Sequence, residues 1–381
     1  SQSCAKSINK NDISTYIWDI KAGPDGDMWA CDRNGDLFRR NHDTGKWQLV
    51  SDYPGNGSPA THIFISDEYD IWVTSQGLGI YHFDGNKWEN FDSSNGPGSD
   101  KFNRVVGGAD GEIWFGSDDK GLYRYKDGTW TNINTTNSPL LNDRIDDLYY
   151  ADNGTLYVET YRSLQSLKNG EWNDLKLADK AGWTAFVTSI SEDKDGDVWV
   201  STSAGLFKDN AGELELFAGT NSKDVMHAFW DKNNILWYFV AYKQLYRYNG
   251  SAQLLENKDM PSQCWGIAEG KNNLKYLLGS LGCYVLVIDD SALKTGKISE
   301  NTGGLGIYPN PAQDFLNIDS HSQIHKVEIM DCTGKPVSIV KNINQKSFTL
   351  NLASHMEMKP GIYIIKADTQ GGTISGRFTI L

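Results

Sequence analysis

Seven histidines, His42, His62, His82, His227, His321, His325 and His355, are the first residues to weigh for chemistry. No pair of them forms the HExxH arrangement that would bring two imidazoles and a general base to one zinc ion. No Gly-x-Ser-x-Gly elbow exposes a nucleophile. The five cysteines, Cys4, Cys31, Cys264, Cys283 and Cys332, form no CxxC pair and no zinc-finger spacing, so no structural metal site is expected. Asp193, Asp195 and Asp197 in DKDGD open like a calcium loop, but no bidentate Glu follows at loop position twelve. The same acidic turn recurs along the chain, and a hairpin turn is its expected role. GLGIY and GGLG read as turn glycines, not as a phosphate loop. A carboxylate pair for glycoside cleavage cannot be singled out among 49 Asp and Glu. The expectation is no catalytic residue, no cofactor and no metal, with binding favoured over catalysis.

Charge narrows the partners. Lys and Arg number 36 against 49 Asp and Glu, a formal charge of −13 with a pI near 5.0. Nucleic acid is bound largely by neutralising its phosphates, so this balance argues against it, and against an anionic membrane surface. No apolar run approaches the ~20 residues of a spanning helix. Ser1 is preceded by no basic-then-apolar leader, so a signal peptide is expected to have been removed or left out.

The elements that would position a site come from a repeat. A turn of Asp, Asn and Gly, then an apolar residue, then an aromatic, recurs seven times. Its copies end at Trp29, Trp72, Trp114, Tyr157, Trp199, Trp237 and Tyr276, 38 to 43 residues apart. About nine residues before each anchor stands a small or apolar residue, from Ile20 to Ile267. Leu-aromatic or Ile-aromatic pairs such as Leu37-Phe38 and Leu122-Tyr123 follow several anchors, and Trp47, Trp88, Trp130 and Trp172 come after the next turn. Asp-Gly and Asn-Gly turns between short apolar segments predict hairpins. Four short strands per ~42 residues, seven times over, predict a seven-bladed β-propeller over residues 1–290. The last blade lacks a clear fourth strand, and residues 3–9 have no other place. The N-terminal segment is therefore expected to supply the outer strand of blade seven. Cys4 would then lie beside the strand carrying Cys283, making Cys4–Cys283 the leading disulfide, with Cys31–Cys264 a weaker pairing.

This repeat resembles the two-component regulator propeller family, whose pattern runs V-x-x-I-x-x-D, G-x-(I/L)-W, G-L-x-x-(Y/F). Val187, Ile190, Asp193, Gly196, Val198-Trp199 and Gly205-Leu206-Phe207 match it, as do Asp110-Gly111, Ile113-Trp114 and Gly121-Leu122-Tyr123. Blades four, six and seven lack the Gly-Leu pair. The resemblance implies a propeller that displays a binding surface, in a family that recognises oligosaccharides. The chain shows no kinase module and no membrane span, so a signalling role is not implied.

Residues 291–306 read as a linker, and all 13 Trp precede it. Beyond it, residues 307–381 alternate short strands with turns and predict a small C-terminal β-sandwich, so the fold class is all-β. Tyr308-Pro309-Asn310-Pro311, Leu316, Ile318, Val327–Asp331, Gly334-Lys335, Gly361-Ile362-Tyr363, Lys366 and Arg377 follow in order. They resemble the type A sorting domain of type IX secretion. That resemblance implies the type IX machinery as a partner of residues 307–381 and a secreted or cell-surface destination, which also favours a disulfide.

For a ligand, the useful places are loops that vary between regular blades. The long connections entering each blade and the loops between second and third strands are expected to share one face. Out-of-pattern residues there are His62, Arg104, Arg144, Tyr161, Arg162, Trp183, His227, Tyr242, Lys243 and Trp265. Aromatic plates flanked by Arg and His suit a sugar, and Arg104, Arg144 and Arg162 would suit an acidic one. The reading is a monomeric glycan-binding module. The alternatives are a polysaccharide lyase or glycoside hydrolase at the channel mouth, or a protein-interaction platform.

Overall fold

A computed structural model describes residues 5–10, 16–55, 57–220, 223–241, 244–248, 252–255, 263–271, 274–279, 282–288, 306–308, 315–331, 336–352, 361–369 and 372–380. The chain divides into two compact units, Ala5–Ile288 and Asp289–Leu381. The expected linker 291–306 lies outside the described residues except for Gly306.

The larger unit is seven four-stranded antiparallel sheets, blades one to six spanning 17–49, 60–91, 102–133, 145–174, 187–216 and 225–255. Blade seven takes Cys264–Glu269, Lys275–Gly279 and Gly282–Ile288, and its fourth strand is Ala5–Lys10 from the chain start. The ring closes as expected. The register sets Ala5 opposite Ile288 and Lys10 opposite Tyr284. The expected Cys4–Cys283 disulfide lies outside the described residues, since Cys4 is not among them and the Cys283 side chain is not described. Cys31 and Cys264 are both buried, and burial pushes the Cys31 thiol well up.

Turn chemistry explains the recurring acidic phrase. In blade five, Asp193 Oδ1 accepts the backbone N–H groups of Asp195 and Asp197 at 3.0 and 3.1 Å, and its Oδ2 accepts Trp199 Nε1–H at 3.1 Å. Asp231 does the same in blade six for Asn233, Ile235 and Trp237. The carboxylate thus closes the turn and ties down the anchor that follows. Every second strand is buried along its whole length, from Met28–Asp32 to Lys275–Gly279, because a neighbouring blade covers each face. The anchors fill that space. Trp72 stacks on His82 at 3.8 Å and meets Phe115 of the next blade edge-on at 5.4 Å. Burying one such ring stabilises by roughly 4–6 kcal/mol in area terms.

One irregularity recurs in all seven first strands. The register slips between Ile17 and Asp19, Ala60 and His62, Phe102 and Arg104, Ile145 and Asp147, Val187 and Ser189, Val225 and His227, and Cys264 and Gly266. A bulge re-aims the side chain it carries. Four bulge residues use theirs to zip blades together. Thr61 donates to Phe102 O, Asn103 to Ile145 O, Thr188 to Val225 O and Trp265 to Ile17 O.

The smaller unit is a five-stranded arrangement of Gly306–Tyr308, Phe315–Asp331, Pro336–Asn351, Gly361–Thr369 and Gly372–Ile380. The first part of Phe315–Asp331 pairs Gly306–Tyr308, and after a register shift past Asp319 its second part pairs Gly361–Thr369. One long strand thereby joins both ends of the arrangement, over a core of Leu316, Ile318, Val327, Ile329 and Ile365.

Candidate functional site

The position one past each bulge carries Asp19, His62, Arg104, Asp147, Ser189, His227 and Gly266, so the channel wall is mostly polar or charged. Asp19 Oδ2 accepts Ile63 N–H at 2.9 Å and lies 3.4 Å from His62 Nε2. Ser189 Oγ accepts Ala228 N–H at 2.9 Å. Burial raises the Asp19 carboxyl, against the pull of Lys21. Burial, then Lys21 and Arg104, holds His62 well below the ordinary imidazole value. Burial and then Lys21 bring His227 down to about 4. Both imidazoles are therefore neutral at pH 7, and among the described residues neither Nδ1 has a hydrogen-bond partner.

At one end of this channel lies a cavity of about 640 Å³. Bulge residues Trp18, Thr61, Asn103 and Asp146 contribute to it, with Arg104 just beyond. Gln76, Tyr161 and Arg162 reach it from turns between second and third strands, and Arg144, Thr184 and Phe186 from connections entering blades four and five. Both kinds of loop share this face, as expected. Arg104 Nε meets Asp147 Oδ1 at 2.7 Å, and Arg144 Nε meets Asp146 Oδ1 at 2.7 Å with Asp118 at 3.5 Å. The Arg162 guanidinium lies 4.9 Å from the Tyr161 ring centroid, and both residues are exposed. Arg162 has φ +59°, a left-handed conformation that costs a side-chain-bearing residue about 1–2 kcal/mol.

Four of the ten sequence-predicted residues, Arg104, Arg144, Tyr161 and Arg162, come together here. Trp183, 76% exposed, adjoins the lining residue Thr184. His62 and His227 stand on the channel wall instead. Trp265 is spent on structure: its indole donates to Ile17 O at 3.0 Å and stacks on Tyr16. Tyr242 and Lys243 lie outside the described residues.

Sequence reasoning missed Trp18, Asp146, Phe186 and Glu159. Glu159 had a signal. Its counterparts across the ring are Cys31, Thr74, Gly116, Ser201, Phe239 and Leu278, so one carboxylate replaces small or apolar residues. It is 5% exposed and its Oε1 accepts Val187 N–H at 2.9 Å. Burial, then the neighbouring Asp147, pushes its carboxyl well above the ordinary value. Asp146 cannot donate to Val187 O as the bulge residues of blades two, three, five and seven do to their neighbours, and Glu159 ties blade four to blade five there instead by accepting Val187 N–H.

The comparisons agree with this architecture. Residues 306–381 match the secretion system C-terminal sorting domain, and residues 183–204 match the two component regulator propeller. A search of curated proteins finds no match. Among solved structures, virginiamycin B lyase from Staphylococcus aureus aligns at 15% identity over 74% of this chain and 99% of its own, with a TM-score of 0.61. PorZ, a surface component of the type-IX secretion system of Porphyromonas gingivalis, aligns at 14% identity over 97% of this chain, with a TM-score of 0.56. The extracellular domain of the hybrid two component system BT3049 from B. thetaiotaomicron aligns at 14% over 98%, with a TM-score of 0.62. The chain spans 60% and 56% of those last two. At these identities the likeness shows the fold. With both matches in the positions the residues indicated, the chain carries a two-component regulator propeller repeat at residues 183–204 and a type IX C-terminal sorting domain at residues 306–381, which indicates export to the cell surface or the extracellular space.

Proposed function

We propose that the propeller is a glycan-binding module whose site is the cavity between Arg104, Arg144 and Arg162, and that its ligand is an acidic sugar. The observation that supports it is the convergence of three arginines with Trp18, Tyr161 and Phe186 around about 640 Å³, room for one or two sugar rings. Rings stack on the apolar face of a pyranose while guanidinium groups take a carboxylate in bidentate fashion. Arg162 is the member with no ion pair among the described residues, so its charge is the one left for a ligand. The test is calorimetric titration of the full chain with a uronic-acid trisaccharide and with a neutral trisaccharide. Binding of the acidic sugar alone, weakened at least tenfold by Arg162→Ala, is the expected result. Equal affinity for both, or none for either, would sink it.

A second reading has its own support. Tyr16, Leu141, Tyr161, Trp183 and Phe186, each 48–76% exposed, all stand on loops of this same face. Such a patch suits a protein partner, which a silent glycan titration would bring forward.

A further inference from the structure

We propose that Glu159 reads the acidic group of the ligand, entering the complex as a neutral carboxylic acid that donates a hydrogen bond to the ligand's carboxylate. This rests on the acidic-sugar reading above and names the residue that sets it. The cavity and its immediate wall hold three arginines, Arg104, Arg144 and Arg162, and four carboxyl groups, Asp118, Asp146, Asp147 and Glu159, with Asp118 and Asp146 sharing Arg144. Asp147 is matched by Arg104 and Asp146 by Arg144. Glu159 has no ion pair among the described residues, and its described hydrogen bond is the one Oε1 accepts from Val187 N–H. With every acid ionised the wall carries one net negative charge and repels an anion. With Glu159 protonated the wall is neutral, Arg162 keeps a charge that no ion pair among the described residues takes up, and the site gains an O–H donor. A buried acid held neutral by its surroundings is a known route to such a donor.

The proton comes from solvent and stays on the Glu159 carboxyl in the complex. The charged and titratable groups facing Glu159 are Asp146 and Asp147 on the first strand of its own blade, Arg104 from blade three and Arg144 from the entering loop. The two aspartates are ion-paired, and the arginines keep their charge through any accessible pH. Glu159 is thus the group expected to move. An anion that requires its protonated form must lose affinity as pH rises past the point where free Glu159 ionises, up to tenfold in Kd per pH unit.

The experiment is titration of the full chain with a uronic-acid trisaccharide between pH 5 and 9, for wild type, Glu159→Gln and Glu159→Ala, each checked for folding by circular dichroism. Gln keeps an oxygen for Val187 N–H and a permanent N–H donor. The expected result is a Kd that climbs with pH in wild type, stays flat and tight in Glu159→Gln, and is at least tenfold weaker in Glu159→Ala. Identical pH profiles in wild type and Glu159→Gln, with binding intact, would overturn the role of Glu159 alone. No binding of the acidic sugar by any folded variant would overturn the acidic-sugar reading and this role with it.

Discussion

Arg104 and Asp147 hold the same position in neighbouring blades, one residue past the bulge, and meet Nε to Oδ1 at 2.7 Å. The pair joins blades three and four at the base of the cavity, with side chains 32% and 17% exposed. Arg104 also donates to Asn103 O at 3.0 Å, so its guanidinium is held in place. The contact therefore positions a charge and links two blades at once.

Removing the carboxylate should cost on both counts. Asp147→Asn leaves a half-buried guanidinium without its counter-ion, and a loss of about 1–3 kcal/mol is expected in urea unfolding. A double-mutant cycle with Arg104→Gln should show that the two changes are not additive. Simple additivity would mean the pair is incidental.

The strained rim residue predicts an opposite trade. Arg162→Gly relieves a left-handed backbone, an effect partly offset by greater freedom in the unfolded chain. Its melting temperature should match or exceed wild type while acidic-sugar affinity falls at least tenfold. A clear loss of stability would show that Arg162 is structural.

Acid should weaken the propeller through its channel histidines. His227 sits at about 4 in the folded state, below its ordinary 6.5, and His62 is lowered as well. A group depressed by folding binds fewer protons folded than unfolded, so stability is present above pH 6.5 and is lost as pH falls toward 4. For His227 the separation amounts to roughly 3 kcal/mol. Urea midpoints at pH 7 and 4.5 should differ by less in His227→Asn than in wild type.

Two tryptophans should behave oppositely. Trp72 is 1% exposed inside the ring and Trp183 is 76% exposed on the cavity face. Trp72→Ala is expected to cost about 3–5 kcal/mol, and Trp183→Ala to stay within about 0.5 kcal/mol while weakening ligand binding. Thermal melts and titrations of both variants separate anchor from contact.

Ring closure can be tested by removing it. Deleting residues 1–10 leaves Gly282–Ile288 as an open edge strand, which invites association. The truncated chain should melt lower and aggregate on concentration by light scattering. A truncation as stable as the full chain would mean that closure contributes little.

The propeller was legible because each of its demands is local and repeated. A second strand buried on both faces is apolar at most positions with small polar residues toward its end, its turn carries Asp or Asn and often Gly, and the aromatic two residues past that turn fills a gap of fixed size. Ile71–Ser75 and Val198–Thr202 obey the same rule at positions far apart in the chain. The closing strand was legible by the same arithmetic, since one blade was a strand short and one segment was spare. The sorting domain was legible from the order of its strand and turn residues.

The site was legible only in part. Arg104, Arg144, Tyr161 and Arg162 stood out as departures from a repeat, and a departure marks where a residue is free of the common packing rule. It does not fix what that residue touches. Trp265 departs from the repeat as plainly as Trp183 does, yet a bulge turns its indole onto Ile17 O of the adjoining blade, while Trp183 stands in water. Glu159 departs too, but its meaning depends on Asp147 across the strand and on Arg104, 55 positions earlier in the chain. The sequence alone determined how many blades there are, how the ring closes and which strands are buried, because those follow from periodicity and nearest neighbours. Only the tertiary structure decided which charges share a cavity and which acid among the described residues is left without an ion pair, because burial and ion pairing are set by groups that meet only when the ring has closed.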